Sequence, residues 1–164
     1  MAARNPSSTS VAERSAQHAT FVIERSYAFP PAKVFAAWAS REAKARWFGG
    51  PAKEWTLKVR ELDFRIGGRE RLVGTWAGGT VSDFDSLYQD IVPDRRIVYS
   101  YSMRIDEKRI SVSLATVEFA PAGKGTQLTV TEQGAFLDGY DDAGSRERGT
   151  RALLDKLDAA IKQN

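Results

Sequence analysis

Residues 148–161 read RGTRALLDKLDAAI. Leu153, Leu157, Ala160 and Ile161, with Leu154 beside them, recur at the spacing of one helical face, while Arg151, Asp155, Lys156 and Asp158 take the other. Asp142 and Ser145 are the candidate caps for the start of this helix. Upstream of it the period is different. From residue 55 to residue 133 apolar residues alternate with polar ones in short runs bounded by turn residues, the pattern of half-buried strands.

Six such runs precede the helix: 55–62, 69–75, 84–92, 97–105, 109–119 and 127–133. Gly67-Gly68, Gly78-Gly79, Pro93-Asp94, the charged Asp106-Glu107-Lys108 and the stretch from Gly123 to Gly125 mark the corners between them. A further strand comes earlier, at 20–27, with Phe21, Ile23 and Tyr27 on one side. Pro30-Pro31 ends it, and Pro31 suits the first turn of a helix carrying Val34, Phe35 and Trp38. A second short helix at 42–47 stops before Gly49-Gly50-Pro51. A meander of hairpins has one face to bury and an amphipathic helix has one stripe, so each satisfies the other when the sheet curls around the helix. The pattern predicts an α+β fold: a curved antiparallel sheet of about seven strands wrapped around a long C-terminal helix, with two short helices after the first strand.

The 164 residues suit one domain with a full core, expected over 18–164, and the Ser- and Ala-rich residues 1–17 read as a mobile leader. With no cysteine, thiol catalysis, thiolate metal sites and disulfides are excluded, and a cytoplasmic location is the expectation. No secretory signal or membrane-spanning apolar run is visible. Lys and Arg total 24 against 21 Asp and Glu, interspersed, with no basic block to track a phosphate backbone, so nucleic acid is not an expected partner. The one histidine, His18, lies at the edge of the leader, which removes the usual neutral-pH proton shuttle from the domain. One His and scattered carboxylates make no metal site, and no cofactor motif is present.

Five segments in this order carry a resemblance: FPPAKVFAAWASREAKARWFGGP (29–51), ELDFRIGGRERL (61–72), DSLYQDIVPDRRIVYSYSM (85–103), LTVTEQGAF (128–136) and the helix above. The chain resembles the heat-shock-protein ATPase activator homologue (AHSA) family of the START-like, or SRPBCC, helix-grip superfamily. That family often places Trp after the glycine of the last helix, whereas here Thr150 follows Gly149. The resemblance implies a helix-grip fold and, for some members, binding of hydrophobic small molecules; wider relatives include cyclases and other enzymes. The family name also implies a chaperone partner, and a homodimer is left open.

A sheet bent around a helix leaves a chamber, and its wall is expected to be aromatic. The expected ligand-binding residues are Trp47, Phe48, Trp55, Arg71, Tyr88, Tyr99, Tyr101, Phe136 and Leu153, with core packing as the alternative for each aromatic and a solvated outer face as the alternative for Arg71. Gly149 shares the inward helix face, either making room for a ligand or letting the sheet pack closely. Asp90, Glu118 and Glu132 lie in apolar strands, where an inward carboxylate would support a cofactor-free enzyme and an outward one would only solubilise. The leading expectation is a small hydrophobic or amphipathic ligand. A cyclase, hydrolase or isomerase using a buried carboxylate and a chaperone-associated interaction protein are the alternatives.

Overall fold

The computed structural model describes residues 13–163, so most of the segment read as a leader lies outside the described residues. The elements are β1 (Ala16–Tyr27), α1 (Pro31–Ala39), α2 (Arg41–Ala45), β2 (Trp55–Leu62), β3 (Arg69–Trp76), β4 (Val81–Val92), β5 (Arg96–Ile105), β6 (Lys108–Ala122), β7 (Gly125–Leu137) and α3 (Ala143–Lys162). Strand β1 begins ahead of the alternation at Thr20 and takes in Ala16 and Gln17, which pair with Leu137 and Phe136. These first residues are exposed, and the backbone ladder rather than burial recruits them, which is why no apolar period marks them.

All strands join one antiparallel sheet in the order β1-β7-β6-β5-β4-β3-β2. The first two strands in sequence therefore lie at opposite edges, and α1 and α2 are the connection between them. Register shifts at Leu57/Val59, at Tyr88/Asp90 and opposite Met103/Arg104 insert bulges into β2, β4 and β6. Bulges bend a strand and raise its twist, and here they help curve the sheet. The β3–β4 corner needs Gly78 and Gly79, whose φ values of 99° and 97° disfavour any other residue.

Helix α3 is capped by Asp142, whose carboxylate accepts from the Ser145 amide at 2.9 Å. Its 20 residues span about 30 Å and pack against β1, α1 and α2. Leu154, Leu157, Ala160 and Ile161 are fully buried with Phe21, Ile23, Val34, Val117 and Val130. No helix among the described residues is long and apolar enough to cross a membrane.

Candidate functional site

Toward the N-terminal half of α3 the core gives way to space. A cavity of about 390 Å³ is bounded by α3 from Ser145 to Lys156, by the turn Gly49-Gly50-Pro51, and by inward residues of β2, β3, β4, β5 and β7. Its floor is a second apolar cluster of Leu72, Phe84, Tyr101 and Ala115, against which Phe48, Trp55, Tyr99 and Met103 pack. The rings meet mostly edge to face: Trp38 and Trp47 are 4.7 Å apart, Phe48 and Phe84 5.1 Å, and Tyr99 and Tyr101 lie tilted at 5.9 Å. The indole of Trp55 occupies the space a side chain at Gly74 or Gly50 would need; a Cβ on Gly74 would fall 1.9 Å from its ring. Trp55 and Trp76 both donate to Ser82 Oγ, at 3.3 and 3.2 Å. This section of wall is thereby fixed by one hydroxyl.

At the other end of the cavity a polar group is enclosed. Tyr101 donates to Glu132 Oε1 at 2.6 Å and accepts from Arg146 Nη1 at 2.8 Å. Arg146 Nη1 also reaches Glu132 Oε1 at 3.5 Å, while Nη2 donates to Ser111 Oγ at 2.6 Å and Asp141 Oδ2 at 2.8 Å. Burial, reinforced by the Glu132 charge, pushes the Tyr101 phenol well above its ordinary value, although Arg146 acts the other way. Burial pulls the Arg146 guanidinium down, but Tyr101, Glu132 and Asp141 together hold it above its usual range. The group is built to keep Tyr101 neutral and Arg146 charged.

A second polar cluster lies behind the wall. Lys44 Nζ and Tyr88 Oη each donate to Glu70 Oε2 at 2.6 Å, and Lys44 also donates to Tyr88 Oη at 3.2 Å. The ammonium lies within 6 Å of the ring centres of Trp38, Trp47, Phe48 and Tyr88. Burial depresses Lys44, outweighing the upward pull of Glu70, and burial raises the Tyr88 phenol, with Glu70 adding to it.

Of the residues expected at the site, Trp47, Phe48, Trp55, Tyr99, Tyr101 and Leu153 line the cavity. Arg71 does not: it faces the outer side of β3 and is forked onto Asp83 through Nε at 3.2 Å and Nη2 at 2.9 Å. Alternation decides this, because Leu72 is the inward residue. Tyr88 and Phe136 do point inward, yet neither lines the cavity: Tyr88 is sealed into the core with Glu70, and Phe136 carries the Arg146 guanidinium 5.5 Å from its ring centre. Asp90 pairs with Arg96 at 2.7 Å in a solvated position and Glu118 is exposed, so neither is the buried acid that the enzyme alternative needs. Glu132 alone of the three is inward.

Arg146, Lys44 and Glu70 were not among the expected residues. Arg146 stands three, seven and eleven residues before Gly149, Leu153 and Leu157, the inward stripe of α3, and Glu70 shares parity with Leu72. Those were the available signals. Gly149 lines the cavity, and a Cβ there would meet nothing within 4 Å. Gly149→Ala is therefore expected to stabilise the fold by about 1 kcal/mol, the helix-propensity difference, as read from urea denaturation; destabilisation would show that the glycine is needed for close packing.

An uncharacterized protein from Rhizobium leguminosarum superposes with a TM-score of 0.88 at 46% identity, over 93% of this chain and 99% of that one. A protein from Rhizobium loti gives 0.80 at 48% identity, over 89% and 99%, and one from Chromobacterium violaceum gives 0.72 at 26%, over 87% and 96%. No functionally curated protein matches the chain. The model of the family described as Activator of Hsp90 ATPase homolog 1-like protein matches residues 28–162, which hold β2 to β7 and all three helices. The chain belongs to this AHSA1 family.

Proposed function

We propose that the protein binds a small, largely apolar molecule in the cavity between the sheet and α3. The observation that carries the reading is the cavity itself, about 390 Å³ walled by Trp38, Trp47, Phe48, Trp55 and Tyr99 with a single enclosed polar group at one end. Ligand chambers of a few hundred Å³ with an apolar lining and few convergent polar groups are the common form of small-molecule sites. The aromatic wall supplies area, and the Tyr101–Glu132–Arg146 group supplies orientation.

N-phenyl-1-naphthylamine, whose fluorescence rises in apolar surroundings, is the first probe. Saturable enhancement with the purified chain is expected, together with thermal stabilisation; at a hundredfold excess over Kd this amounts to about 2.7 kcal/mol. Gly149→Phe, which directs a ring from α3 into the cavity, should abolish both. Absence of saturable binding to the wild type would sink the reading.

The family's name supports a second reading, contact with a chaperone through the outer surface. Its observation is that Leu87 and Leu114 are exposed on the convex side and flank Ser100 across β4, β5 and β6. Leu114→Lys should weaken capture of an Hsp90-type chaperone on a column bearing the protein, while leaving dye binding intact.

A further inference from the structure

The enclosed polar group is unbalanced. Glu132 and Asp141 bring two carboxylates against the one guanidinium of Arg146. Both Nη nitrogens are already engaged, Nη1 by Tyr101 and Glu132, and Nη2 by Ser111 and Asp141. The Tyr101 hydrogen is likewise committed to Glu132 Oε1. Among the described residues nothing donates to the other oxygen, Glu132 Oε2, although the side chain lines the cavity and is only 3% exposed. That oxygen opens onto the cavity, where an arriving N–H or O–H can donate to it. Tyr99 lines the same cavity and its hydroxyl is bonded to none of the described residues, so it can accept from, or donate to, the same ligand group.

From this arrangement we infer that the ligand enters with a hydrogen-bond donor leading, a hydroxyl or an amine on an apolar body, and that carboxylates are rejected from this end of the cavity. The inference rests on the binding reading above and specifies its chemistry. A carboxylate placed here would face two others, and with both Nη groups occupied the guanidinium has only its Nε–H left to offer. The cavity's other cation, Lys156, lies ten residues further along α3, about 15 Å away, where it is exposed and donates to the Gly49 carbonyl at 3.3 Å. It does not offset the excess at the enclosed end, because solvent screens it.

Dodecanol, dodecylamine and dodecanoate share one chain and differ only in the terminal group. Their Kd values follow from displacement of N-phenyl-1-naphthylamine below the micellar concentration. The alcohol and the amine are each expected to bind at least about tenfold more tightly than the acid, since like charges brought together in a desolvated site are strongly disfavoured. Asp141→Asn and Glu132→Gln each remove one carboxylate charge and should narrow that gap; Asp141→Asn carries the test if Glu132→Gln fails to fold. Equal or tighter binding of dodecanoate to the wild type would overturn the inference while leaving the cavity as a binding site. A gap that persists unchanged in the variants would also overturn it, and failure of the dye and all three ligands to bind would remove both readings together.

Discussion

Glu70→Gln is expected to cost the fold about 3–5 kcal/mol, the range seen when one partner of a buried ion pair is removed. The substitution keeps shape and volume and deletes only the charge that Lys44 faces at 2.6 Å. Lys44 is 4% exposed and enclosed by aromatic rings, which leaves solvent little access to replace the carboxylate. The ammonium must then lose its proton or drag its helix outward, and Tyr88 keeps a weaker acceptor. Urea denaturation measures the loss directly. The double variant Lys44→Met/Glu70→Leu, which removes both charges, should recover most of it, because an apolar pair of similar volume avoids desolvation altogether. A loss below about 1 kcal/mol in the single variant would mean that the pair is relaxed or hydrated and that the wall it supports is not rigid.

Trp38→Ala should cost a comparable amount, about 3–5 kcal/mol. The ring is 4% exposed, lies 4.7 Å from Trp47 and 6.3 Å from Phe119, and stands between the main core and the cavity. Removing it extends the cavity toward the core. Destabilisation should therefore be accompanied by a change in ligand size selection, with bulkier apolar probes gaining affinity relative to slender ones. A stable variant with unchanged selectivity would place Trp38 outside the structural wall.

These two residues also mark how far the amino-acid sequence could be read. Trp38 was legible because α1 repeats its apolar positions at helical spacing and because a large aromatic facing inward is the ordinary case. The strands were legible for the same reason: alternation states which face a residue takes, and turn residues state where a run ends. What alternation does not state is depth. Tyr88, Tyr101 and Phe136 all point inward, yet only Tyr101 reaches the cavity, because Tyr88 is sealed by Glu70 and Phe136 is covered by Arg146. Charge misled in both directions. Arg71 looked like a binding residue and is tied to Asp83 on the outside, while Lys44 and Glu70, ordinary surface types, share the interior because each neutralises the other. Arg146 was hidden in the same way, its inward position legible from Gly149, Leu153 and Leu157 and its charge arguing for solvent. Pairing across 26 residues for Lys44 and Glu70 is a property of the assembled sheet and helices, and no local pattern reports it.

The core that joins β1 to α3 has a consequence for how the chain acquires its shape. Tyr27 donates to the Leu154 carbonyl across 127 residues, and Phe21 and Ile23 share their apolar cluster with Leu157 and Ile161. Contacts between such distant positions form late and slow folding, since a long loop must close before they reward it. During synthesis the inward face of the first strand stays uncovered until the last helix has left the ribosome. Truncation before Leu153 therefore removes more than a helix: it leaves the nascent sheet with a permanently exposed apolar face, a state prone to aggregate rather than to bind.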